Sequence, residues 1–229
     1  MQQFTLDVAV DTSPTLANFH AAGNEATHQH LRLWLSSPRR SPVPIYLHGE
    51  SGTGKTHLLR GLARGLAEKG ESYGWMDANT QEPPSFDFAW RAVLLDDVHR
   101  YTSVQQHAAF NWFVQSNTSG AAGACCSVIA AGQVAPSHLL LRDDLKSRLG
   151  WGDILKLEAL SDAAQREVLK SSAHARGLYL GDEVLDYMSV RFSRDLGNLM
   201  QWLDKLDRYA LQTKRAITVP LLKEMLANL

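Results

Sequence analysis

Over roughly the first two thirds of the chain, short apolar runs alternate with stretches of helical spacing, and after residue 158 only the helical spacing continues. The short runs are Ile45-Tyr46-Leu47, Tyr73-Gly74-Trp75-Met76, Ala92-Val93-Leu94-Leu95, Val128-Ile129-Ala130 and Ile154-Leu155-Lys156-Leu157. Strand-length apolar runs separated by helices predict a mostly parallel sheet covered on both faces. Leu58, Leu59, Leu62 and Leu66 recur at three and four residues and predict the buried face of a helix. Past residue 158, Ser161-Asp162 with Gln165 reads as a helix start, Ala164, Val168, Leu169 and Ala173 as its inner face, and Gly177 as its stop. A second stripe runs from a Ser193 cap through Leu196, Leu199, Met200, Leu203 and Leu206, and a third follows Thr218-Val219-Pro220. The expected fold is therefore α/β: a five-stranded parallel sheet flanked by helices over 15–157, plus a small all-α domain over 158–229. Residues 1–8 alternate polar and apolar before Asp11-Thr12-Ser13-Pro14 breaks the pattern, which marks 1–14 as a tail and linker.

Composition narrows the class. At 229 residues, 45% apolar and 21% charged, the chain can bury a core, and no apolar run approaches the roughly 18 residues of a membrane span. The amino terminus lacks a basic and then apolar leader, so a cytoplasmic protein with no membrane contact is expected. A net charge of -1 offers no overall attraction to DNA. Cys125 and Cys126 are adjacent, which suits neither a disulfide framework nor a metal site and marks them as small buried hydrophobes. His28 and His30 lack the further ligands of a zinc set.

The candidate chemistry lies at Gly49-Glu50-Ser51-Gly52-Thr53-Gly54-Lys55-Thr56, which fits G-x-x-x-x-G-K-T, follows a strand and opens a helix. Its glycines let successive backbone N–H groups converge on phosphate oxygens, and the helix terminus adds partial positive charge. Lys55 is expected on the β- and γ-phosphates of ATP or ADP, Thr56 on Mg2+, and His57 among the nucleotide contacts. The alternative is a glycine-rich turn without a ligand, against which the flanking strand and helix weigh. Magnesium also needs a carboxylate at the end of a neighbouring strand. Val93-Leu94-Leu95-Asp96-Asp97 supplies one: Asp96 is assigned to the metal, directly or through water, and Asp97 to the attacking water.

With Leu145-Lys146-Ser147-Arg148-Leu149-Gly150-Trp151-Gly152, Phe19, Gly23-Asn24 and Leu203-Asp204-Lys205-Leu206-Asp207-Arg208, nearly the whole chain resembles the AAA+ family of the replication initiator DnaA. It is most similar to the shorter Hda regulators within that family. The resemblance implies an AAA+ core with a helical lid, and an end at Leu229 leaves no room for a DnaA-type DNA-binding domain. It makes Arg148 an arginine finger acting in trans on a neighbour's nucleotide; the alternative is a surface arginine paired with Asp143 or Asp144. It places Gly197 where a sensor arginine usually stands, with Arg194 one turn earlier, so little or no intrinsic ATP hydrolysis is expected. On the fourth strand the family's polar sensor position falls near Gln133. Gln3-Phe4-Thr5-Leu6-Asp7-Val8 is similar to a peptide that docks on the DNA polymerase III sliding clamp, with Gln3 at a pocket rim and Phe4, Leu6 and Val8 filling it. Read alone, the alternating residues 1–8 are an edge strand or frayed end. The function so implied is stimulation of ATP hydrolysis on DnaA by a clamp-tethered nucleotide binder, which switches initiation off. DnaA and the clamp are then the partners, DNA is reached only through the clamp, and a homo-oligomer is possible. The alternative is a self-sufficient AAA+ ATPase, such as a helicase loader of the DnaC or IstB kind.

Overall fold

The computed structural model describes residues 13–118, 126–192 and 195–228. The tail contacts expected of Gln3, Phe4, Leu6 and Val8 lie outside the described residues, as do Cys125, Ser193 and Arg194. The described chain packs as two units, Pro14–Ala159 and one beginning at Leu160.

In the first unit the elements run α1 (Glu25–Ser36), β1 (Ile45–His48), α2 (Lys55–Glu68), β2 (Tyr73–Met76), β3 (Ala92–Leu95), α3 (Ser103–Thr118), β4 (Ser127–Gly132), α4 (Asp143–Leu149) and β5 (Asp153–Lys156). The sheet order is β2-β3-β4-β1-β5 and every pairing is parallel, with Tyr46 of β1 in register with Ala130 and Ile154. Because successive side chains on a strand point to opposite faces, the strands divide between two cores. Ile45, Leu47, Ala92, Leu94, Ile129 and Ala131 pack with Leu31 and Trp34 of α1 and the α2 leucines. Tyr46, Val93, Leu95, Val128 and Ala130 pack with Trp112 and Phe113 of α3 and Leu145 and Leu149 of α4. One face of β2 is covered by Trp90: a side chain on Gly74 would lie 2.4 Å from its ring, which meets Trp112 edge-on at 4.9 Å.

The second unit holds α5 (Asp162–Ala175), α6 (Asp182–Arg191), α7 (Leu196–Thr213) and α8 (Val219–Ala227) around a core of Leu169, Leu185, Met188, Leu199, Leu203, Leu206 and Leu222. Ser161 caps α5 by accepting from the Ala164 N–H at 3.3 Å, and Thr218 does the same for Leu221 at 3.4 Å in α8. The cap of α7 is Asp195 rather than the expected Ser193. Its carboxylate accepts from the Gly197 N–H at 2.8 Å, so the helix begins two residues later than the sequence pattern implied. No helix among the described residues is long and apolar enough to cross a membrane.

Candidate functional site

In a wholly parallel sheet all strands end at one rim, and β4 lies between β1 and β3. The segments after β1, β4 and β3 are therefore side by side, where α/β sheets form their ligand crevices. The turn 49–56 leaves β1 and enters α2 through Gly54, whose φ of +93° is left-handed; a side chain there would also meet the Phe19 ring at 2.6 Å. Lys55 is 7% exposed, and its ammonium donates to the carbonyls of Gly49 and Glu50, both at 2.7 Å, and to the Thr53 hydroxyl at 3.3 Å. A cation held inside its own loop by oxygens is positioned to exchange them for phosphate oxygens, which carry more charge.

Thr56 and Asp96 meet as the sequence reading required: the hydroxyl donates to Asp96 Oδ2 at 2.7 Å. The other oxygen, Oδ1, accepts from the Asp97 N–H at 3.0 Å, and the Asp96 N–H donates to Met76 O at 2.8 Å. Burial pushes the Asp96 carboxyl above the usual carboxylate range; the Asp97 charge adds to this, while the Thr56 hydroxyl and Arg60 oppose it. A half-buried hydroxyl and a buried carboxylate in contact are hard oxygen donors, and Mg2+ at this pair would offset the cost of charging Asp96. The residues fit the ion. Asp97 takes the left-handed backbone region, φ 53°, uncommon for a residue with a side chain, and its carboxylate lies 3.7 Å from Arg100.

Around these groups stand Gln133 and His57, both expected from the sequence, together with Tyr46, Gly132 and His99, which were not singled out as site residues. Gln133 stands exposed just beyond β4, and the Tyr46 hydroxyl pins the next residue by donating to Val134 O at 2.8 Å. Gly132 makes room for that ring, since a side chain there would lie 2.1 Å from the Tyr46 hydroxyl. His99, two residues past Asp97, has a buried Nδ1 without a hydrogen-bond partner among the described residues; burial lowers its pKa, with Lys55 and Arg100 adding and Asp97 opposing. His57 Nε2 lies 3.0 Å from Thr15 O and 2.9 Å from Asn18 Oδ1. Because a carbonyl only accepts, that nitrogen carries the proton. His57 thus joins the segment before α1, where Phe19 lies between the rings of His28 and His57 at 5.5 and 5.6 Å. Asn24 ties that segment to the far end of the unit, donating to Glu158 O at 3.0 Å and accepting from the Glu158 N–H at 2.8 Å. A separate cleft of about 260 Å³, lined by His30, Trp34, Arg40, Ile45 and Asp153, opens at the amino-terminal ends of β1 and β5, away from this rim.

Arg148 lies in the last turn of α4, half-buried, with its guanidinium carbon 5.7 Å from the centre of the Trp151 ring. Neither acid of its own helix holds it among the described residues: Asp143 pairs with Lys146 at 2.8 Å and Asp144 with Arg142 at 2.6 Å. The pairing offered as the alternative to a finger is thereby not made.

A family model for the lid domain of Hda matches residues 162–226, from the first residue of α5 to the next-to-last of α8. An uncharacterized protein of Haemophilus influenzae is 31% identical over 233 residues, covering 98% of each chain. Domain III of the Thermotoga maritima replication initiation protein DnaA superposes with a TM-score of 0.74 at 20% identity, covering 95% of this chain and 97% of that one. DnaA from Aquifex aeolicus, solved with AMPPCP bound, gives 0.64 at 22% identity, covering 86% of this chain and 66% of that one. The chain belongs to the Hda-like, DnaA-related AAA+ proteins. In this Hda-like protein the helical unit is the lid, and Gly197 sits at the second position of α7 with its N–H held by Asp195.

Proposed function

We propose that this Hda-like protein is a nucleotide-binding regulator of replication initiation that offers Arg148 to ATP held by DnaA. It binds ADP or ATP at residues 49–56. Lys55 and the backbone N–H groups would hold the phosphates, and Thr56 and Asp96 would hold Mg2+, which would supply positive charge against that of the phosphates. Asp97 and Gln133 face water and the terminal phosphate, while Gly197 leaves intrinsic hydrolysis weak. Gln3, Phe4, Leu6 and Val8 tether the chain to the sliding clamp, which brings it to DNA.

The observation that carries this reading is Arg148 itself, with both neighbouring acids engaged elsewhere. A guanidinium against a γ-phosphate accelerates hydrolysis by about three to five powers of ten in characterised systems. In phosphate release from DnaA loaded with ATP, with clamp on DNA, the protein is expected to stimulate turnover and Arg148→Ala to remove at least about a hundredfold of it. Unchanged release on adding the wild-type protein rejects the proposal.

The helicase-loader reading draws on the assembled Thr56, Asp96 and Asp97 set. It requires rapid ATP hydrolysis by the isolated chain that Asp97→Asn abolishes.

A further inference from the structure

The finger proposal leaves open what holds Arg148 in a usable pose. A long side chain loses considerable entropy when fixed, and a carboxylate partner would occupy the donors that a phosphate needs. Among the described residues Arg148 contacts instead an aromatic face, that of Trp151, which is 68% exposed. The local backbone is anchored on both sides of this contact. Leu145 and Leu149, four apart on α4, are 0% and 1% exposed within the core that includes Tyr46 and Val98, which fixes the helix axis and turns Arg148 to its flank. The helix then closes through Gly150 N–H to Lys146 O at 3.0 Å and Trp151 N–H to Arg148 O at 3.3 Å. Immediately afterwards the chain is pressed against Pro44: a side chain on Gly152 would lie 1.9 Å from Pro44 O, and the Asp153 N–H donates to that same oxygen at 2.9 Å. Trp151 is held between these two fixed points with its ring outside the core.

We propose that Trp151 is a positioning residue for the finger: its ring attracts the Arg148 guanidinium to this flank of α4 and leaves the N–H donors free for the triphosphate of a neighbouring subunit. An aromatic face suits this task because it attracts the cation without accepting its in-plane hydrogen bonds. The proposal rests on Arg148 acting as a finger, and its test separates the two ideas.

Stimulated phosphate release from ATP-loaded DnaA, with clamp on DNA, is measured against concentration of each variant. Trp151→Ala is expected to lower the maximal stimulated rate by about three- to fivefold, as loss of an exposed cation–π contact implies, with the half-saturating concentration nearly unmoved. Trp151→Phe keeps a ring face and restores most of the rate, whereas Trp151→Leu keeps bulk only and does not. In an Arg148→Ala background the tryptophan substitution has no further effect. If Arg148→Ala leaves stimulation intact, the finger reading itself fails. If Arg148→Ala removes stimulation and Trp151→Ala matches the wild type, or Trp151→Leu rescues as well as Trp151→Phe, or Trp151→Ala still lowers the rate without Arg148, the positioning role is overturned and the finger stands.

Discussion

At the residue scale the site is a set of polar side chains withdrawn from water, and their protonation follows from that. Lys55 and Asp96 are buried and answered by oxygens or by a hydroxyl. Burial also lowers the pKa of three histidines, His48, His57 and His99; for His57 the Thr15 contact opposes this shift and His28 adds to it. A lowered folded-state pKa means that the unfolded chain binds more protons between the folded value and the ordinary one, so stability rises with pH across that window. The contribution is complete above about pH 6.5 and is lost as pH falls through the lowered folded values. Urea midpoints are expected to drop between pH 7.5 and 5.5, and His57→Gln, whose amide still donates to Thr15 O, is expected to make that drop shallower. An equal drop in the variant would show that His57 is not a source of it.

At the element scale, burial decides more than propensity does. The stripe on α7 that stood out in the sequence is the centre of the lid core, with Leu203 and Leu206 at 0% exposure. Leu203→Ala removes a fully buried side chain and is expected to destabilise the lid by about 2–5 kcal/mol, read from the loss of helical ellipticity on heating. In the other unit, α3 did not announce itself, because apolar residues surround it in Ala108-Ala109-Phe110-Asn111-Trp112-Phe113-Val114. It is defined instead by Trp112 and Phe113 packing under the sheet and by the Trp112 indole donating to Pro84 O at 3.2 Å.

At the scale of the whole molecule there are two compact units, and the phosphate-binding turn belongs to only one of them. A ligand that binds the folded form stabilises it by about 2.7 kcal/mol at a hundredfold excess over Kd. ADP with Mg2+ is expected to raise the thermal transition of the unit holding residues 49–56, and Lys55→Ala to abolish that rise; a shift of equal size in the variant would place the ligand elsewhere. The phosphate turn, the alternating strands and helices and the change to an all-helical region were legible in the chain alone, because each is a local pattern: contiguous residues set the turn, and a period of two or of 3.6 sets which face is apolar. What the sequence could not display is what long-range packing joins. The Tyr46 hydroxyl reaches Val134 across 88 positions and Asn24 clasps Glu158 across 134, contacts that no local pattern marks; Thr56 and Asp96, expected from their motifs to share a metal, meet across forty because a parallel sheet brings the ends of β1 and β3 to one rim. The surroundings of His57 and Arg148 were decided the same way, since whether a side chain meets a carbonyl, a carboxylate or a ring depends on which element folds against it.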